Sequence, residues 1–258
     1  MPTPCASWFA GIVLGVLLCA PAAGFEPLSR AYLQQPVVPA NVVILLDSSS
    51  SMAMTRIGEQ SRLQVAREAV RRLLHQQRNT RFGLFAFNPS SGIDIARETA
   101  GGRLLVEVAD ISPGVAGDEH LRRLEQALDA LLPDTGTNPD LYTWTPLAET
   151  HYEISRYLRG MDSFYNPAQA TYSSPLQWRC QPNAALVITD GLPTYDSQFP
   201  TSMDQDPAGL PFASGGVYGL PDWDANTDND VSGEPLYQPG STFYLDDMTA
   251  FARDLDLR

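Results

Sequence analysis

Residues 41–52 read NVVILLDSSSSM, in which the apolar run Val42 to Leu46 passes without a break into Asp47. A short apolar run of this kind is the pattern of a strand buried on both faces, which confines the chain to a sheet covered on either side. The polar segment after the run is open to two readings. In one, Asp47 and the serines close a turn, as Asp/Ser clusters commonly do after a strand. In the other, alternate residues of an extended segment point the same way, so the Asp47 carboxylate and the Ser49 and Ser51 hydroxyls converge. Hard oxygens converging on one point suit a hard cation such as Mg²⁺.

The remaining periodicity supplies strands and helices in alternation. The stretch SRLQVAREAVRRLL offers a capping box in Ser61 and Gln64, and places Leu63, Ala66, Val70 and Leu73 on one helical face. RFGLFAF (81–87) reads as a strand buried on both faces, and RLLVEVADI (103–111) as another. EHLRRLEQALDALL carries Leu121, Leu124, Leu128 and Leu131 as an apolar stripe. TPLAETHYEISRYL begins with Thr145 as a candidate cap and Pro146 in the first turn. AALVITDG is a second apolar strand that ends in an acid, Asp190. This order predicts an α/β fold, a doubly wound, mostly parallel sheet flanked by helices, with ligands at the carboxyl ends of the strands. Residues 193–240 change to Pro, Gly, Asp, Ser and Tyr and read as a long surface insertion. The closing YLDDMTAFARDLDLR places Leu245, Met248, Ala252 and Leu255 on one face of a helix returning to the sheet.

Composition removes several functions. The 258 residues carry a formal charge of -13, so nucleic acid is not a natural partner and cations are. No lysine occurs, which excludes a phosphate loop ending in Gly-Lys-Ser/Thr. Residues 1–24 hold no charged side chain, and the apolar stretch from Trp8 to Ala20 followed by small residues reads as a secretory signal peptide cleaved near 22–24. Residues 25–40, with Pro27, Pro36 and Pro39, form an extended lead-in to a domain over 41–258. Removing the leader takes away Cys5 and Cys19 and leaves Cys180 as a lone thiol. His75, His120 and His151 are scattered without zinc spacing and read as helix-surface residues.

Asp47-x-Ser49-x-Ser51, the Thr145-Pro146-Leu147 helix start and Ile188-Thr189-Asp190-Gly191, in that order, resemble the three segments of the metal ion-dependent adhesion site in von Willebrand factor type A domains. The resemblance implies that Asp47, Ser49, Ser51, Thr145 and Asp190 gather around one divalent cation, Mg²⁺ or Mn²⁺ or Ca²⁺, whose open position accepts an acidic group of a partner. Ser50 departs from the family, which very often has glycine there. VITDGLPTYDSQFP, GLPDWDANTDND and STFYLDDMTAFARDLDLR narrow the resemblance to the amino-terminal domain of type IV pilus tip-associated adhesins. It implies a protein exported to the periplasm or outer surface, associated with pilins and minor pilins, and acting in pilus assembly and adhesion. Such proteins usually continue into further strands and a carboxyl-terminal β-propeller, so the resemblance implies a truncated or split product here.

DWDANTDND spaces Asp222, Asp224, Asn226, Asp228 and Asp230 at alternate positions, as a calcium loop does at its early ligands. Thr227 stands at the turn glycine's place and Gly233 at the twelfth position; a register starting at Asp224 puts Asn229 at the turn instead. A Ca²⁺ site and a solvated acidic loop both fit. An enzyme is not expected. An aspartyl phosphotransferase needs a second acid two residues on, where Ser49 stands, together with a lysine, and there is no Gly-x-Ser-x-Gly elbow for a serine hydrolase. The rival to an adhesion module is a structural scaffold for pilus assembly without a working metal site. Export is checked by amino-terminal sequencing, which is expected to start near Phe25; an intact Met1 on protein from the soluble cytoplasm would contradict it.

Overall fold

The structure is a computed structural model that describes residues 38–89, 100–131, 144–200, 206 and 243–254. The leader, most of the lead-in and the 222–230 loop lie outside the described residues. No helix among the described residues is long and apolar enough to cross a membrane.

The sheet is built from β1 (Asn41–Leu46), β4 (Arg81–Phe87), β5 (Gly102–Asp110) and β6 (Asn183–Ile188), in the order β5-β4-β1-β6. β1 runs parallel to both neighbours, with Leu46 level with Ala86 and with Ile188, while β5 pairs antiparallel on β4. A two-stranded hairpin, β2 (Arg56–Ile57) and β3 (Gln60–Ser61), comes after the short helix α1 (Ser50–Met54). Four longer helices complete the described fold: α2 (Arg62–Gln76), α3 (Val115–Ala130), α4 (Leu147–Arg159) and α5 (Tyr244–Asp254).

The period of two along a strand divides the core into two faces. Ile44, Leu46, Phe82, Leu84 and Ala86 meet Leu63, Val70 and Leu74 of α2 and Leu121, Leu124 and Leu128 of α3. Val43, Leu45, Phe85 and Phe87 point the other way, onto Leu147, Ile154 and Tyr157 of α4. Helices cover both faces, and the doubly wound sheet expected from the sequence is the one observed. β4 occupies the span predicted for it and every residue in it is buried. α2 starts as its capping box dictates, with Gln64 N–H donating to Ser61 Oγ at 3.2 Å and Ser61 N–H to Gln64 Oε1 at 2.7 Å. Its stripe ends on Leu74, with Leu73 half-buried.

The start of α4 corrects the sequence reading. Thr145 makes no side-chain cap; the carboxylate of Asp196 does, accepting from Ala148 N–H and Glu149 N–H at 2.8 Å each. Residues 147–158 of this helix are buried all round, so its amino end is out of reach of water and its donors need an acceptor supplied by the protein. Two carboxylate oxygens serve two N–H groups, where one hydroxyl would serve one. Gly160 ends the helix in the left-handed region, at φ 69°.

The expected surface insertion is also corrected where it is described. Asp196, Phe199 and Asp206 are buried. Asp206 takes a two-pronged contact from Arg159 at 2.7 Å and a hydrogen bond from Tyr152 Oη at 2.6 Å. α5 packs chiefly on α4, burying Tyr244, Met248 and Phe251 against Ala148, Tyr152 and Phe199, while its Leu245 reaches the core cluster on that face of the sheet. Its buried stripe runs through 244, 247, 248 and 251, sharing Met248 with the expected one, whose Leu245 and Ala252 are half-buried and whose Leu255 lies outside the described residues. The helix packs along α4 because its bulkiest apolar side chains, Tyr244 and Phe251, lie there.

Burial pushes Asp196 up to about 7, and burial together with the Asp196 charge pushes Glu149 well above the carboxylate range. An acid whose folded pKa is raised contributes stability at low pH that is lost as pH climbs from its unfolded value, near 4, to its folded one. Thermal unfolding measured from pH 4 to 8 is therefore expected to show stability declining up to about pH 7, and declining less in Asp196→Asn. Asp196→Ala is expected to cost about 1–2 kcal/mol at pH 7 through the lost cap.

Candidate metal centre

Parallel pairing sets the level at which the two acid-ended strands stop. Leu46 is level with Ile188, and Asp47 N–H continues the ladder onto Ile188 O at 2.9 Å, so Asp47 leaves the sheet beside Thr189 and next to Asp190. Asp47 is fully buried. Its Oδ1 accepts from Ser49 N–H at 2.7 Å and its Oδ2 from Thr189 Oγ1 at 2.6 Å.

Ser49 and Ser51 do converge, although not along an extended strand. β1 stops at Leu46, Ser49 is the cap position of α1, and the turn of helix from Ser50 brings the two hydroxyls to 3.0 Å. Ser51 Oγ then donates to Asp190 Oδ1 at 2.8 Å. Tyr195 is the one non-glycine with positive φ among the described residues, so Ser50 keeps a backbone open to any L-residue and the family's glycine is not required there.

Asp47, Ser49, Ser51 and Asp190 thus form one hydrogen-bonded chain. Thr145 does not join it. It is held nearby by backbone and side-chain pairing with the loop after β6: Thr145 N–H donates to Thr194 Oγ1 at 2.9 Å and Thr194 N–H to Thr145 O at 3.1 Å. The rings of Trp144 and Tyr195 meet edge to face at 4.5 Å between centroids. Tyr195, at φ 51°, turns the chain between these pairs and the Asp196 cap.

Sequence reasoning missed Thr189 and Arg62. The register of β1 on β6 places Thr189 beside Asp47, and only pairing, not local spacing, reveals that. Arg62 Nη1 lies 2.5 Å from Asp190 Oδ2. A cation in the first turn of a helix opposes the helix dipole, and that anomaly was the available signal. The histidines correct the surface reading: His75 is exposed, but His120 and His151 are buried, and burial pulls His151 down to about 4. None of them touches this cluster. Cys180 is an exposed free thiol.

The oxygens fit a hard cation. Ligands about 2.1 Å from an octahedral Mg²⁺ stand about 3.0 Å apart along an edge, the spacing of the Ser49 and Ser51 hydroxyls. Burial above all raises the Asp47 pKa against its Ser49 and Thr189 hydrogen bonds, and the nearby Asp190 charge adds to the rise. A positive ion beside Asp47 would relieve both causes. Among the described residues no group of three or more His, Cys, Asp and Glu side chains is assembled for a metal, so an ion here must rely on hydroxyls.

Residues 42–143 match the family model of the von Willebrand factor type A domain, a stretch that holds Asp47, Ser49 and Ser51 and stops short of Thr145 and Asp190. No curated protein matches. Among solved structures, a conserved hypothetical protein, BatB from Bacteroides thetaiotaomicron, is 18% identical with a TM-score of 0.36, covering 57% of this chain and 52% of BatB. The pilus adhesin SpaC from Lactobacillus rhamnosus GG is 20% identical with a TM-score of 0.39, covering 65% of this chain and 18% of SpaC. Proximal thread matrix protein 1 from the mussel byssus is 14% identical with a TM-score of 0.36, covering 65% of this chain and 34% of that one. This chain therefore spans about half of BatB's length and a smaller share of the others. The match begins on the acid-ended parallel strand that carries its serines into a turn of helix, so over residues 42–143 the chain is similar to a von Willebrand factor type A domain.

Proposed function

We propose that this chain is an exported, metal ion-dependent binding module of a type IV pilus-associated adhesin, acting in pilus assembly and surface attachment. The observation that carries the reading is the meeting of Asp47, Ser49, Ser51 and Asp190 at the carboxyl end of the sheet, with hydroxyl spacing suited to Mg²⁺. Export is supported by the uncharged apolar leader, and the pilus setting by the resemblance of residues 187–200, 219–230 and 241–258.

A divalent cation held there would supply a Lewis-acidic position able to take a carboxylate from a partner protein or surface. The chain's own residues do the rest. Asp47 brings buried negative charge, the Ser49 and Ser51 hydroxyls lie side by side as neutral oxygens, and Asp190 holds Ser51 in place. Thr145, tied to Thr194, stands on the neighbouring loop as a further oxygen. We take the site to bind without turnover, since an aspartyl phosphotransferase needs a second acid where Ser49 stands together with a lysine, and the sequence has no lysine.

One observation favours the scaffold alternative. Each carboxylate oxygen of the acid pair already has a protein donor: Ser49 and Thr189 on Asp47, Ser51 and Arg62 on Asp190. A cluster so satisfied can hold the loops together without an ion.

Titration calorimetry with Mg²⁺ and Mn²⁺, run beside thermal unfolding, separates the two readings. Asp47→Ala is expected to abolish ion binding, Thr145→Ala and Asp190→Ala to weaken it, and Ser50→Gly to leave it intact. A scaffold predicts stability losses of about 1 kcal/mol with no change in ion affinity, and unchanged affinity in all three alanine variants would defeat the adhesion-site reading.

The ion needs Asp47 ionised, and burial raises the pH at which that carboxyl takes up a proton. Mn²⁺ affinity is accordingly expected to weaken as pH falls from 8 to 5, starting at higher pH than for an exposed carboxylate site. An affinity with the pH dependence of an exposed carboxylate site would count against Asp47 as the ligand.

A further inference from the structure

We propose that Arg62 is a tethered cation that holds Asp190 while the site is free of a divalent ion, and that ion entry is an exchange against its charge. The inference rests on the metal-binding reading above and adds the residue that sets how readily the site fills.

Arg62 has no helical reason for its place. It is the first residue of α2, directly after the capping Ser61, where the unpaired N–H groups of the helix repel a positive side chain. Its backbone N–H is already used, donating to Thr55 O at 3.0 Å. What the side chain gains is Asp190: Nη1 sits 2.5 Å from Oδ2 of a carboxylate whose side chain is only 8% exposed. A charge-assisted contact of that kind outweighs a dipole contribution that fades within one turn.

The contact belongs to the ion site. Asp190 Oδ1, the other oxygen of the same carboxylate, accepts from Ser51 Oγ, which reaches Ser49 Oγ at 3.0 Å. Arg62 is therefore one carboxylate away from the proposed ligand hydroxyls. Its own side chain is 37% exposed, so the guanidinium can swing into water without opening the core.

The charges point the same way. Asp47 and Asp190 together bring two negative charges, and the structure supplies Arg62 against them. A divalent ion alone would balance the pair, whereas ion and arginine together would leave an excess positive charge in a small volume. Arg62 thus limits the Asp47–Asp190 repulsion in the ion-free protein and opposes the ion that replaces it. With the exposed guanidinium screened by water, the opposing effect is worth roughly tenfold in affinity for a unit charge and a divalent ion several ångströms apart.

The test uses the full chain and measures Mn²⁺ and Mg²⁺ affinity by calorimetry for wild type, Arg62→Gln, Arg62→Met, Arg62→Lys and Asp47→Ala, with thermal unfolding in chelator and in excess ion. The two charge-free variants are expected to bind roughly tenfold tighter than wild type and to unfold at lower temperature in chelator, so that the ion raises their midpoint more. Arg62→Lys, which keeps the charge, is expected to stay near wild type. Two charge-free variants are used so that one that folds poorly leaves the other to decide. If Asp47→Ala abolishes binding while Arg62→Gln and Arg62→Met bind like wild type or more weakly, the exchange is overturned and the metal reading stands. If neither wild type nor any Arg62 variant binds an ion, both fall.

Discussion

Parallel pairing of β1 between β4 and β6 is the constraint on which the site depends. A strand buried on both faces can place polar groups only at its ends, and here Leu46, Ala86 and Ile188 are level. The segments after Leu46 and Ile188 must leave the sheet at the same height. Asp47 and Asp190 become neighbours for that reason, although 142 residues separate Asp47 from Thr189, its hydrogen-bond partner. The apolar core and the polar site are two consequences of one register: a slip of one residue would turn Leu45 and Leu46 to the wrong faces and move Asp47 away from Thr189.

The loop after β6 carries the next level of organisation. Within a few residues it supplies Asp190 to the serine cluster, Thr194 to Thr145, Tyr195 to Trp144 and Asp196 to the start of α4. Glu149, in the first turn of that helix, reaches back to accept from Gly101 N–H and Gln198 N–H. Buried carboxylates act here as joints, each taking backbone donors from a segment distant in sequence. The cost is charge in a dry interior, and the raised pKa values of Glu149 and Asp196 record it. Asp206 is handled differently, through Arg159 and Tyr152, so its charge is met by a counter-charge.

Legible in the sequence was whatever depends on local period and local capping. β4, the Ser61–Gln64 box and the leucine stripe of α3 arise from side-chain order alone. The acids at Asp47 and Asp190 were legible because a carboxylate directly after an apolar strand has few places to go. The cap of α4 was not, since Thr145 has the composition of a cap and Asp196 lies 48 residues from Ala148. Thr189 needed the register, and Arg62 needed the fold of the β2–β3 hairpin that delivers it. The expectation of extended alternation after Asp47 failed on the helical turn at Ser50, yet the hydroxyls met because that turn also brings residues 49 and 51 together.

A cluster of acids in an acidic chain raises the question of why it stays assembled. At a formal charge of -13, the protein as a whole disfavours further negative charge, and two carboxylates in one corner should be pushed apart. Neutral donors alone do not remove that repulsion; they only distribute it. Ser49, Thr189 and Ser51 orient the oxygens, and Arg62 supplies the compensating charge that keeps them close. Of these partners only Arg62 is both charged and substantially open to water. The donor that balances the site is thus the one most easily withdrawn, which leaves orientation intact while freeing one carboxylate oxygen. On the metal-binding reading proposed above, a preassembled set of oxygens with a removable counter-charge would lose little order on taking up an ion.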